Sequence, residues 1–297
     1  MSLDQDSTKQ AANNTASPKR LDHENEEQYQ ERVQLAKRIS TIKHKIIVLS
    51  GKGGVGKSTT ATNLAIALSL ADKQIGLLDV DIHGPSIPKM LNLENHPIVA
   101  DNETLNPIIF NDKLKVMSVG FLLGSDKNNA VIWRGPLKYS LIKQFLKDVN
   151  WGKLDYLIID SPPGTGDEPL SICQLIENLD GAIIVTTPQE VALLDVRKSV
   201  TFCRKLNLPI LGVVENMSGF VCPKCGEITE IFKSGGGEKM AKDMGIPFLG
   251  RIPLDPQIVD SGDMGKPFIY KDSQSAISKK FQTIVEPILK LSNENIS

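Results

Sequence analysis

Cysteine is scarce in this chain of 297 residues, which contains four in all. They are Cys173, Cys203, Cys222 and Cys225, and their spacing is uneven. A disulfide framework in a chain of this length needs more cysteines, and disulfides are rare in a reducing compartment. The composition therefore excludes a disulfide-stabilised scaffold and leaves thiol chemistry to a few positions.

A charge excess of one sign is also lacking, because 34 basic and 35 acidic residues leave a net charge of −1. Nucleic-acid and membrane surfaces favour a basic partner, so we expect neither among the partners. No apolar run approaches the roughly 20 residues that span a bilayer. The N-terminal stretch has no apolar signal segment, and its acidic residues 22–27 are unlike a transit peptide. We therefore expect a cytoplasmic protein.

The composition, with 40% hydrophobic and 23% charged residues, suits one large α/β domain with a substantial core. Residues 1–20 are polar and are expected to form a disordered tail. Residues 26–39 form a charged, helix-like segment with a partial apolar stripe, which either docks on the domain or stays mobile. We therefore divide the chain into an N-terminal extension at 1–40, a domain at 41–292 and a tail at 293–297.

Residues 51–59 read G-K-G-G-V-G-K-S-T, between a β-branched run at 45–49 and a helical pattern at 58–71. A strand, a tight loop and a helix in this order are the context of a P-loop, whose backbone N–H groups surround phosphates. Lys57 is expected to reach the β- and γ-phosphates, and the Ser58 hydroxyl to bind Mg²⁺. The full set of predicted nucleotide contacts in this loop is Gly51, Lys52, Gly53, Gly54, Val55, Gly56, Lys57, Ser58 and Thr59. Lys52 is not demanded by the general motif and marks the deviant form G-K-G-G-x-G-K-[ST].

Carboxylates follow two further β-like runs. Residues 74–78 lead into Asp79 and Asp81, and residues 154–160 end in Asp160. At the carboxyl edge of a doubly wound sheet either Asp79 or Asp81 would face Mg²⁺ or the attacking water, and Asp160 would hold Mg²⁺ directly or through water. Gly164, in the glycine-rich loop that follows, is expected to donate its N–H to the terminal phosphate.

The alternation of β-like and α-like segments predicts an α/β fold with a doubly wound, mostly parallel sheet. A hairpin is predicted around residues 111–113, with strands at 105–110 and 114–119. Asn216 follows a strand at 209–214, where its amide could read a purine, although a capping or turn asparagine is an equally good interpretation. The loop at 252–256, with Pro253 and Asp255, is expected to pack beside the base.

Cys222 and Cys225 form a C-x-x-C pair in a loop, a spacing that lets two sulfurs bind one metal. Tetrahedral Zn²⁺ and Fe–S clusters usually take four protein ligands, and Cys173 and Cys203 lie on apolar helical stripes typical of core thiols. The simplest completion is a second copy of the chain across a two-fold axis. Alternatives are a redox dithiol, half of a structural zinc site and an intramolecular disulfide, and the spacing does not distinguish Fe–S from Zn.

Six segments together resemble one family. They are G-K-G-G-V-G-K-S-T, D-V-D-x-x-G-P-S, W-R-G-P at 133–136, L-I-I-D-S-P-P-G-T-G-D at 157–167, E-N-M-S at 215–218 and C-P-K-C-G at 222–226. The chain is similar from about residue 43 to 291 to the Mrp/ApbC family of P-loop ATPases that carry iron–sulfur clusters. That family is a branch of the deviant P-loop group that includes MinD and the nitrogenase iron protein.

The resemblance implies a homodimer that holds a [4Fe–4S] cluster between two Cys222/Cys225 pairs and transfers it to apo-proteins at the expense of ATP. It also implies that Lys52 reaches the partner's nucleotide, Asp81 orients the attacking water, Asp160 supports Mg²⁺ and Asn216 recognises adenine. The chain lacks an N-terminal cysteine cluster found in some relatives, since no cysteine precedes Cys173. It also lacks an obvious N-terminal accessory domain, so residues 1–40 have no assigned role.

Two other functions fit parts of the sequence. A MinD-like positioning ATPase would share the P-loop, but it would leave the thiol pair without a role. A zinc-bridged nucleotide switch without cluster transfer fits the thiol ligands as well as a cluster does. Iron, sulfide and zinc analysis distinguishes this switch from the cluster carrier.

Overall fold

The structure, a computed structural model, describes residues 18–21, 24–101, 104–122, 135–222, 224–271 and 275–294. Residues 1–17 of the predicted tail, Trp133 and Arg134 of the W-R-G-P segment, and Pro223 of the thiol loop lie outside the described residues. None of the described helices is long and apolar enough to cross a membrane.

The helices and strands alternate along the chain. The helices are α1 (Glu26–Ile39), α2 (Lys57–Leu70), α3 (Ile87–Met90), α4 (Gly135–Lys147), α5 (Asp167–Leu175), α6 (Glu190–Lys205), α7 (Gly236–Asp243), α8 (Pro256–Asp263), α9 (Phe268–Lys271) and α10 (Ala276–Glu294). The strands are β1 (Ile42–Ser50), β2 (Ile75–Asp79), β3 (Val99–Asp101), β4 (Thr104–Asn106), β5 (Ile108–Asn111), β6 (Leu114–Ser118), β7 (Leu154–Asp160), β8 (Gly181–Thr186), β9 (Ile210–Glu215), β10 (Phe220–Val221), β11 (Ile228–Thr229) and β12 (Phe248–Arg251).

The main sheet has eight strands in the order β12-β9-β8-β1-β7-β2-β6-β5. Every neighbouring pair in it is parallel except β5 and β6. β1 lies in the centre between β7 and β8, so the loop after β1 leaves the middle of the carboxyl edge. The predicted doubly wound, mostly parallel α/β fold is confirmed, and its ligand-binding edge carries the loops after β1, β2, β7 and β9.

Each face of the sheet is covered by helices. One apolar cluster joins the sheet to α1, α4, α5, α6 and α7, and a second joins it to α2, α3, α9 and α10. β7 is almost completely buried from Leu154 to Asp160, as its continuous hydrophobic run predicts for a strand covered on both faces. The carboxylate at its end is therefore held at a fixed place on a rigid strand.

Helix α1 packs on α4 and belongs to the first of these clusters. Leu35 and Ile39 are buried at this contact, and each contributes about 1.5–3 kcal/mol by leaving water. The Arg38 Nε donates to the carbonyl oxygen of Lys147 at 3.1 Å. The charged segment at 26–39 therefore docks on the domain, which is one of the two arrangements considered from the sequence.

The predicted hairpin around residues 111–113 is confirmed for β5 and β6, but its first strand is shorter than predicted. Leu105 and Asn106 belong instead to β4, which pairs with β3 in a separate two-stranded sheet. Pro107 lies between β4 and β5, and a proline has no N–H to donate to a sheet. The alternation of apolar residues continued across this break, so the pattern alone did not reveal it.

Candidate functional site

The loop between β1 and α2 has the backbone shape that binding of phosphate requires. Gly54 and Gly56 have φ angles of 78° and 83°, in the region where a Cβ is disfavoured. Helix α2 begins at Lys57, and its N-cap residue Gly56 has no side chain to occupy the first amides. These amides and the positive end of the helix dipole face the loop, which is the arrangement that binds anions.

Asn216 supports the same loop from the end of β9. Its Nδ2 donates to the carbonyl oxygen of Val55 at 2.9 Å, and the residue is 7% exposed. A Cβ on Gly56 would lie 2.1 Å from this Nδ2, so the close approach also demands glycine there. One of the donors of Asn216 is therefore used to hold the phosphate loop, a role that sequence reasoning did not assign.

Lys57 is almost buried and lies among the predicted catalytic carboxylates. Its Nζ donates to Asp160 Oδ1 at 2.7 Å and to Ser58 Oγ at 3.3 Å, and it lies 3.6 Å from Asp81 Oδ2. The Lys57 ammonium thus contacts the Asp160 carboxylate and lies close to that of Asp81. The positive charge of the ammonium reduces the electrostatic repulsion between the two buried carboxylates.

Two oxygens at this point have no hydrogen-bond partner within the described part of the chain, although both are buried. They are Asp81 Oδ1 and Asp160 Oδ2. Burial raises the pKa of Asp160 in spite of its bond to Lys57. Mg²⁺ prefers oxygen ligands and is often held by one or two carboxylates together with phosphate oxygens. The Ser58 hydroxyl and the free carboxylate oxygens therefore form a donor set that suits Mg²⁺ beside a bound triphosphate.

Asp79 is completely buried beside Asp160, its partner in the register of β2 and β7. It accepts hydrogen bonds from Ser118 Oγ at 2.9 Å and from the Asp81 amide at 3.1 Å. Burial, and then the charge of Asp160, raise the pKa of Asp79 to about 8. The residue pattern left Asp79 and Asp81 open, and the family resemblance implied Asp81. In the structure Asp81 faces Lys57 while Asp79 lies deeper.

We expect Asp79→Asn to change the pH dependence of stability in protein free of Mg²⁺ and nucleotide. The folded chain keeps the Asp79 proton up to about pH 8, whereas the unfolded chain releases it near 3.8. The free energy of unfolding of the wild type should therefore fall as pH rises through this window, by at most about 1.4 kcal/mol per pH unit from this group. Urea unfolding of both proteins from about pH 5 to about pH 9 measures the difference.

Asn has nearly the shape of a protonated carboxyl group, so the variant should gain stability relative to the wild type as pH rises. The difference should level off above about pH 8, where Asp79 is ionised in both states. Asp243→Asn, at an exposed residue at the end of α7, is the control and should show no such trend. A constant difference between the Asp79 variant and the wild type across this range contradicts the assignment.

One predicted phosphate contact, Gly164, is engaged with the protein itself, and another, Lys52, lines a cavity at the phosphate loop. The Gly164 amide, in a residue with φ of 91°, donates to the carbonyl oxygen of Ser50 at 2.8 Å. Contact with a terminal phosphate would require this bond to be exchanged. Lys52 is half-buried and lines a cavity of about 240 Å³ together with Lys57 and Asp81. The cavity joins the phosphate loop to the carboxylates.

A second cavity, of about 300 Å³, lies beside the loop on the other side of Gly56. It brings together Asn216, Pro253 and Asp255, the three residues predicted to contact the base. One oxygen of Asp255 is used to cap α8, since Oδ1 accepts from the Gln257 amide at 2.8 Å. The size and position of the cavity suit an adenine ring whose phosphates lie on the P-loop.

Sequence reasoning missed the wall of this cavity that comes from the loop after β2 and from α3. Ser86, Lys89 and Met90 line it there, opposite Asn216. The only sequence signal was the G-P-S turn at 84–86, which predicts a chain reversal but does not show which residues lie opposite it. The positions of Ser86, Lys89 and Met90 depend on the packing of α3 against α8.

A polar bridge that the sequence did not reveal connects the two carboxylate-bearing loops to α4. Lys138 Nζ donates to Glu168 Oε1 at 2.6 Å and lies 3.0 Å from His83 Nε2. His83 Nε2 lies 3.7 Å from the same Glu168 oxygen. His83 follows Asp81 by two positions, and Glu168 follows Gly164 by four. The bridge therefore holds the loops after β2 and β7 in one arrangement.

The thiols of Cys222, which is half-buried, and Cys225, which is exposed, lie in a small hairpin that extends from the same sheet edge. β10 and β11 pair with Phe220 opposite Thr229, and the Gly226 amide donates to the carbonyl oxygen of Cys222 at 2.9 Å. Backbone amides of Cys225 and Lys224 donate to the Cys222 sulfur and lower the pKa of this thiol. Amide donors that stabilise a thiolate are what a metal-binding sulfur requires.

The other two thiols have the opposite environment. Burial raises the pKa of Cys173 to about 11 and that of Cys203 to about 12. Both pack against the first apolar cluster, as predicted for core thiols. In the described part of the chain, no group of three or more Cys, His, Asp or Glu side chains is placed to hold a metal.

The thiol hairpin is attached directly to the candidate base pocket. The Leu254 amide donates to the carbonyl oxygen of Gly219 at 2.8 Å, and the Ser218 amide donates to that of Ile252 at 2.9 Å. Leu254 also lines the base pocket. Glu215, which precedes Asn216, accepts from Ser218 Oγ and from the Gly235 amide at 2.9 Å. The candidate base pocket is therefore connected to the two cysteines by a few covalent bonds and hydrogen bonds.

Comparison with known families agrees with this arrangement of phosphate loop and thiols. The family described as NUBPL iron-transfer P-loop NTPase matches residues 41–289. The chain belongs to this family. The resemblance to the Mrp/ApbC ATPases is thereby confirmed, and the nucleotide site described above is the site of a P-loop NTPase.

Relatives of this P-loop NTPase include two proteins named iron-sulfur cluster carrier protein. The one from Methanocaldococcus jannaschii is 54% identical over 260 residues, which cover 88% of this chain and 89% of the relative. The one from Saccharolobus solfataricus is 52% identical over 258 residues, which cover 87% of each chain.

Solved structures show the same fold. A nucleotide-binding protein from Archaeoglobus fulgidus, in complex with ADP, has a TM-score of 0.72 and 39% identity over 81% of this chain and 94% of its own. MinD from Pyrococcus horikoshii, complexed with Mg-ADP, has a TM-score of 0.61 over 86% of this chain and 99% of its own. At 22% identity, the MinD likeness concerns the fold alone.

Proposed function

We propose that this protein is an ATP-hydrolysing iron–sulfur cluster carrier. Two copies hold one [4Fe–4S] cluster as cargo between their Cys222/Cys225 pairs and transfer it to apo-proteins. The family match and the names of the two relatives support carriage of a cluster. The nucleotide site supports hydrolysis of ATP.

The observation that carries the proposal is the pair of accessible thiols on a hairpin that is joined to the nucleotide pocket. Cys225 is exposed and Cys222 is half-buried, whereas Cys203 is fully buried. An Fe–S cluster usually takes four thiolates, and one described hairpin supplies two. A two-fold axis beside the hairpin supplies the other two, because an isologous contact repeats each ligand.

Exposed apolar side chains around the thiols support a second copy as the partner. Val221 is 47% exposed, Ile228 is 68% exposed and Ile231 is 53% exposed. A two-stranded hairpin gains little stability by itself, and apolar side chains on its surface are costly in water. Burial of these residues against their own copies would remove that cost and place the four sulfurs together.

The nucleotide site supports specific roles for the predicted residues. Lys57 would move from Asp160 to the β- and γ-phosphates, which would free Asp160 to act with the Ser58 hydroxyl on Mg²⁺. Asp81, with one oxygen free, would orient the attacking water. Lys52 would extend toward the partner's nucleotide across the two-fold axis.

Elemental analysis after anaerobic purification tests the proposal most directly. One [4Fe–4S] cluster per two chains, with iron and acid-labile sulfide in equal amounts, is the expected result, together with a dimeric mass in solution. Zinc in place of iron and sulfide would support a zinc-bridged switch instead. A monomer that holds metal and nucleotide together would contradict the shared site.

We expect Glu168→Gln to slow ATP hydrolysis by about three- to tenfold, with a smaller effect on ATP affinity. Glu168 touches neither the P-loop nor the base pocket, and the change weakens a charge-assisted bond to Lys138 that is worth about 1.5–3 kcal/mol in general and less at this partly exposed site. Steady-state kinetics separate kcat from KM for this variant. Asp243→Asn breaks an exposed ion pair with Arg197 and is the control. Equal kcat values for the two variants would show that the bridge does not position the loops.

A further inference from the structure

A cavity that the proposed function does not use lies far from the candidate nucleotide site. It has a volume of about 490 Å³ and lies between α1, α4 and the C-terminal end of α5. Lys45, near the start of β1, lines it. The P-loop follows Ser50 at the other end of the same strand, about 16 Å away at the usual rise per residue. The cavity and the nucleotide site are therefore at opposite edges of the sheet.

The walls of this cavity combine apolar, amide and charged side chains. The aliphatic residues that line it are Leu21, Leu35, Ala36, Ile39 and Leu175, the amide side chains are those of Gln28, Gln174 and Asn178, and the charged ones are those of Glu24, Arg32, Lys45, Lys143 and Glu177. Its volume is within the range of roughly 300–1,000 Å³ that is typical of small-molecule sites. Helix α1 forms one complete side, so the cavity exists only because the N-terminal extension docks on the domain.

Lys45 is the unusual residue in this cavity. It is 8% exposed, and its Nζ has only long contacts, at 3.3 Å to the carbonyl oxygen of Ile42 and 3.4 Å to that of Lys43. No carboxylate of the described residues forms an ion pair with it. Asp180, whose charge acts on Lys45, uses its oxygens on His44 Nδ1 and on the Lys45 backbone amide. Buried lysines are rare unless they are paired, and burial here lowers the pKa of the ammonium.

The other cations at the cavity are already neutralised. Arg32 donates two hydrogen bonds to the Glu24 carboxylate, at 2.8 and 2.7 Å. Lys143 forms an ion pair with Glu31. Lys45 is therefore the cation in this cavity that has no direct ion-pair partner within the described residues, although the charge of Asp180 acts on it from a distance.

We propose that the cavity between α1 and α4 binds a small amphipathic monocarboxylate, with its carboxylate on the Lys45 ammonium and its apolar part against Leu35 and Ile39. One ammonium suits a single negative charge. A phosphate dianion would require further cationic donors, and the two others at this cavity, Arg32 and Lys143, are already bound by carboxylates. An uncharged apolar molecule would leave the buried ammonium without compensation.

Octanoate is the probe for this site, with octanol and inorganic phosphate as its counterparts. Calorimetry or NMR titration of the full chain is expected to show saturable binding of octanoate and none of phosphate. Lys45→Met keeps the apolar stem and removes the charge, so octanoate affinity should fall about tenfold or more. Lys143→Met, at the same cavity but at a lysine already paired, should change it less than about threefold.

A second variant keeps the test decisive if Lys45→Met does not fold. Ala36 is an exposed residue of α1 that lines the cavity, so Ala36→Trp fills the space without altering the core. It should abolish octanoate binding and leave ADP binding unchanged, because the nucleotide lies at the opposite edge of the sheet. The proposal is overturned if octanoate does not bind, if Lys45→Met or Ala36→Trp binds it as the wild type does, or if octanol or phosphate binds as tightly.

Discussion

A variant with both Cys222→Ser and Cys225→Ser is expected to lose the iron–sulfur cluster completely while it keeps its affinity for ADP within about twofold. Serine retains the size of cysteine but provides no thiolate, and an Fe–S cluster is held by thiolates. The hairpin keeps its main-chain bonds, such as that from the Gly226 amide to the Cys222 carbonyl oxygen, and a serine oxygen can accept from the amides that donate to the Cys222 sulfur. Absorbance of the cluster, iron content and nucleotide titration measure the two effects separately.

The matched control for this variant is Cys173→Ala. That thiol packs against the core, and burial raises its pKa to about 11, so it is unsuited to bind a metal. The control should load a full cluster. Full loading of the double serine variant would show that the cluster is held elsewhere and would contradict the proposed site.

Lys57→Ala is expected to weaken ATP binding by about 100-fold or more, which corresponds to ~3 kcal/mol. The lysine is the main side-chain charge available to the β- and γ-phosphates in a P-loop. In the structure it also neutralises Asp160, which is fully buried. The variant should therefore also be destabilised, by up to about 3–5 kcal/mol if Asp160 stays ionised and by less if it takes up a proton.

A second substitution separates these two effects. Lys57→Ala combined with Asp160→Asn removes the unpaired carboxylate, so stability in urea unfolding should recover while ATP affinity stays low. Lys198→Ala, which breaks an exposed pair with Asp195, is the control for loss of a lysine elsewhere. If Lys57→Ala binds ATP like this control, the assignment of Lys57 to the phosphates is wrong.

The Lys57 pair also explains how the site can exist without nucleotide. Two buried carboxylates with free oxygens would repel each other, and the ammonium between them lowers that repulsion. Under the proposed function, phosphates would attract the ammonium, and Asp160 would lose its partner and become a better ligand for a divalent cation. The bond between Lys138 and Glu168 would then couple the loops after β2 and β7 during this change.

Much of the site was predictable because its signals are local in the chain. The P-loop lies within nine residues, with a strand before it and a helix after it, and Gly54 and Gly56 adopt the positive φ angles that the motif requires. Asp160 ends a buried strand, as its hydrophobic run predicted. Parallel strands place such ends at one edge, so the meeting of Lys57 with Asp160 followed from the fold class.

The remainder depends on contacts between distant parts of the chain. Asn216 and Val55 are 161 positions apart, and Lys138 and Glu168 come from different elements, so no local pattern could join them. The preference for Asp81 over Asp79 came from the family resemblance and from no local pattern, because it depends on which side chain the packing of β2 against β7 turns inward.

The sequence by itself determined the fold class, the phosphate loop, the strand-terminal carboxylates and the thiol pair, because periodicity and motif spacing are set by backbone geometry over a few residues. Only the tertiary structure decided that Asp79 is buried beside Asp160, that Asn216 holds the P-loop, that Leu254 joins the base pocket to the thiol hairpin and that α1 encloses a cavity around Lys45. These features depend on which side chains become close and lose water when the sheet and its helices pack, and that is a property of the whole chain.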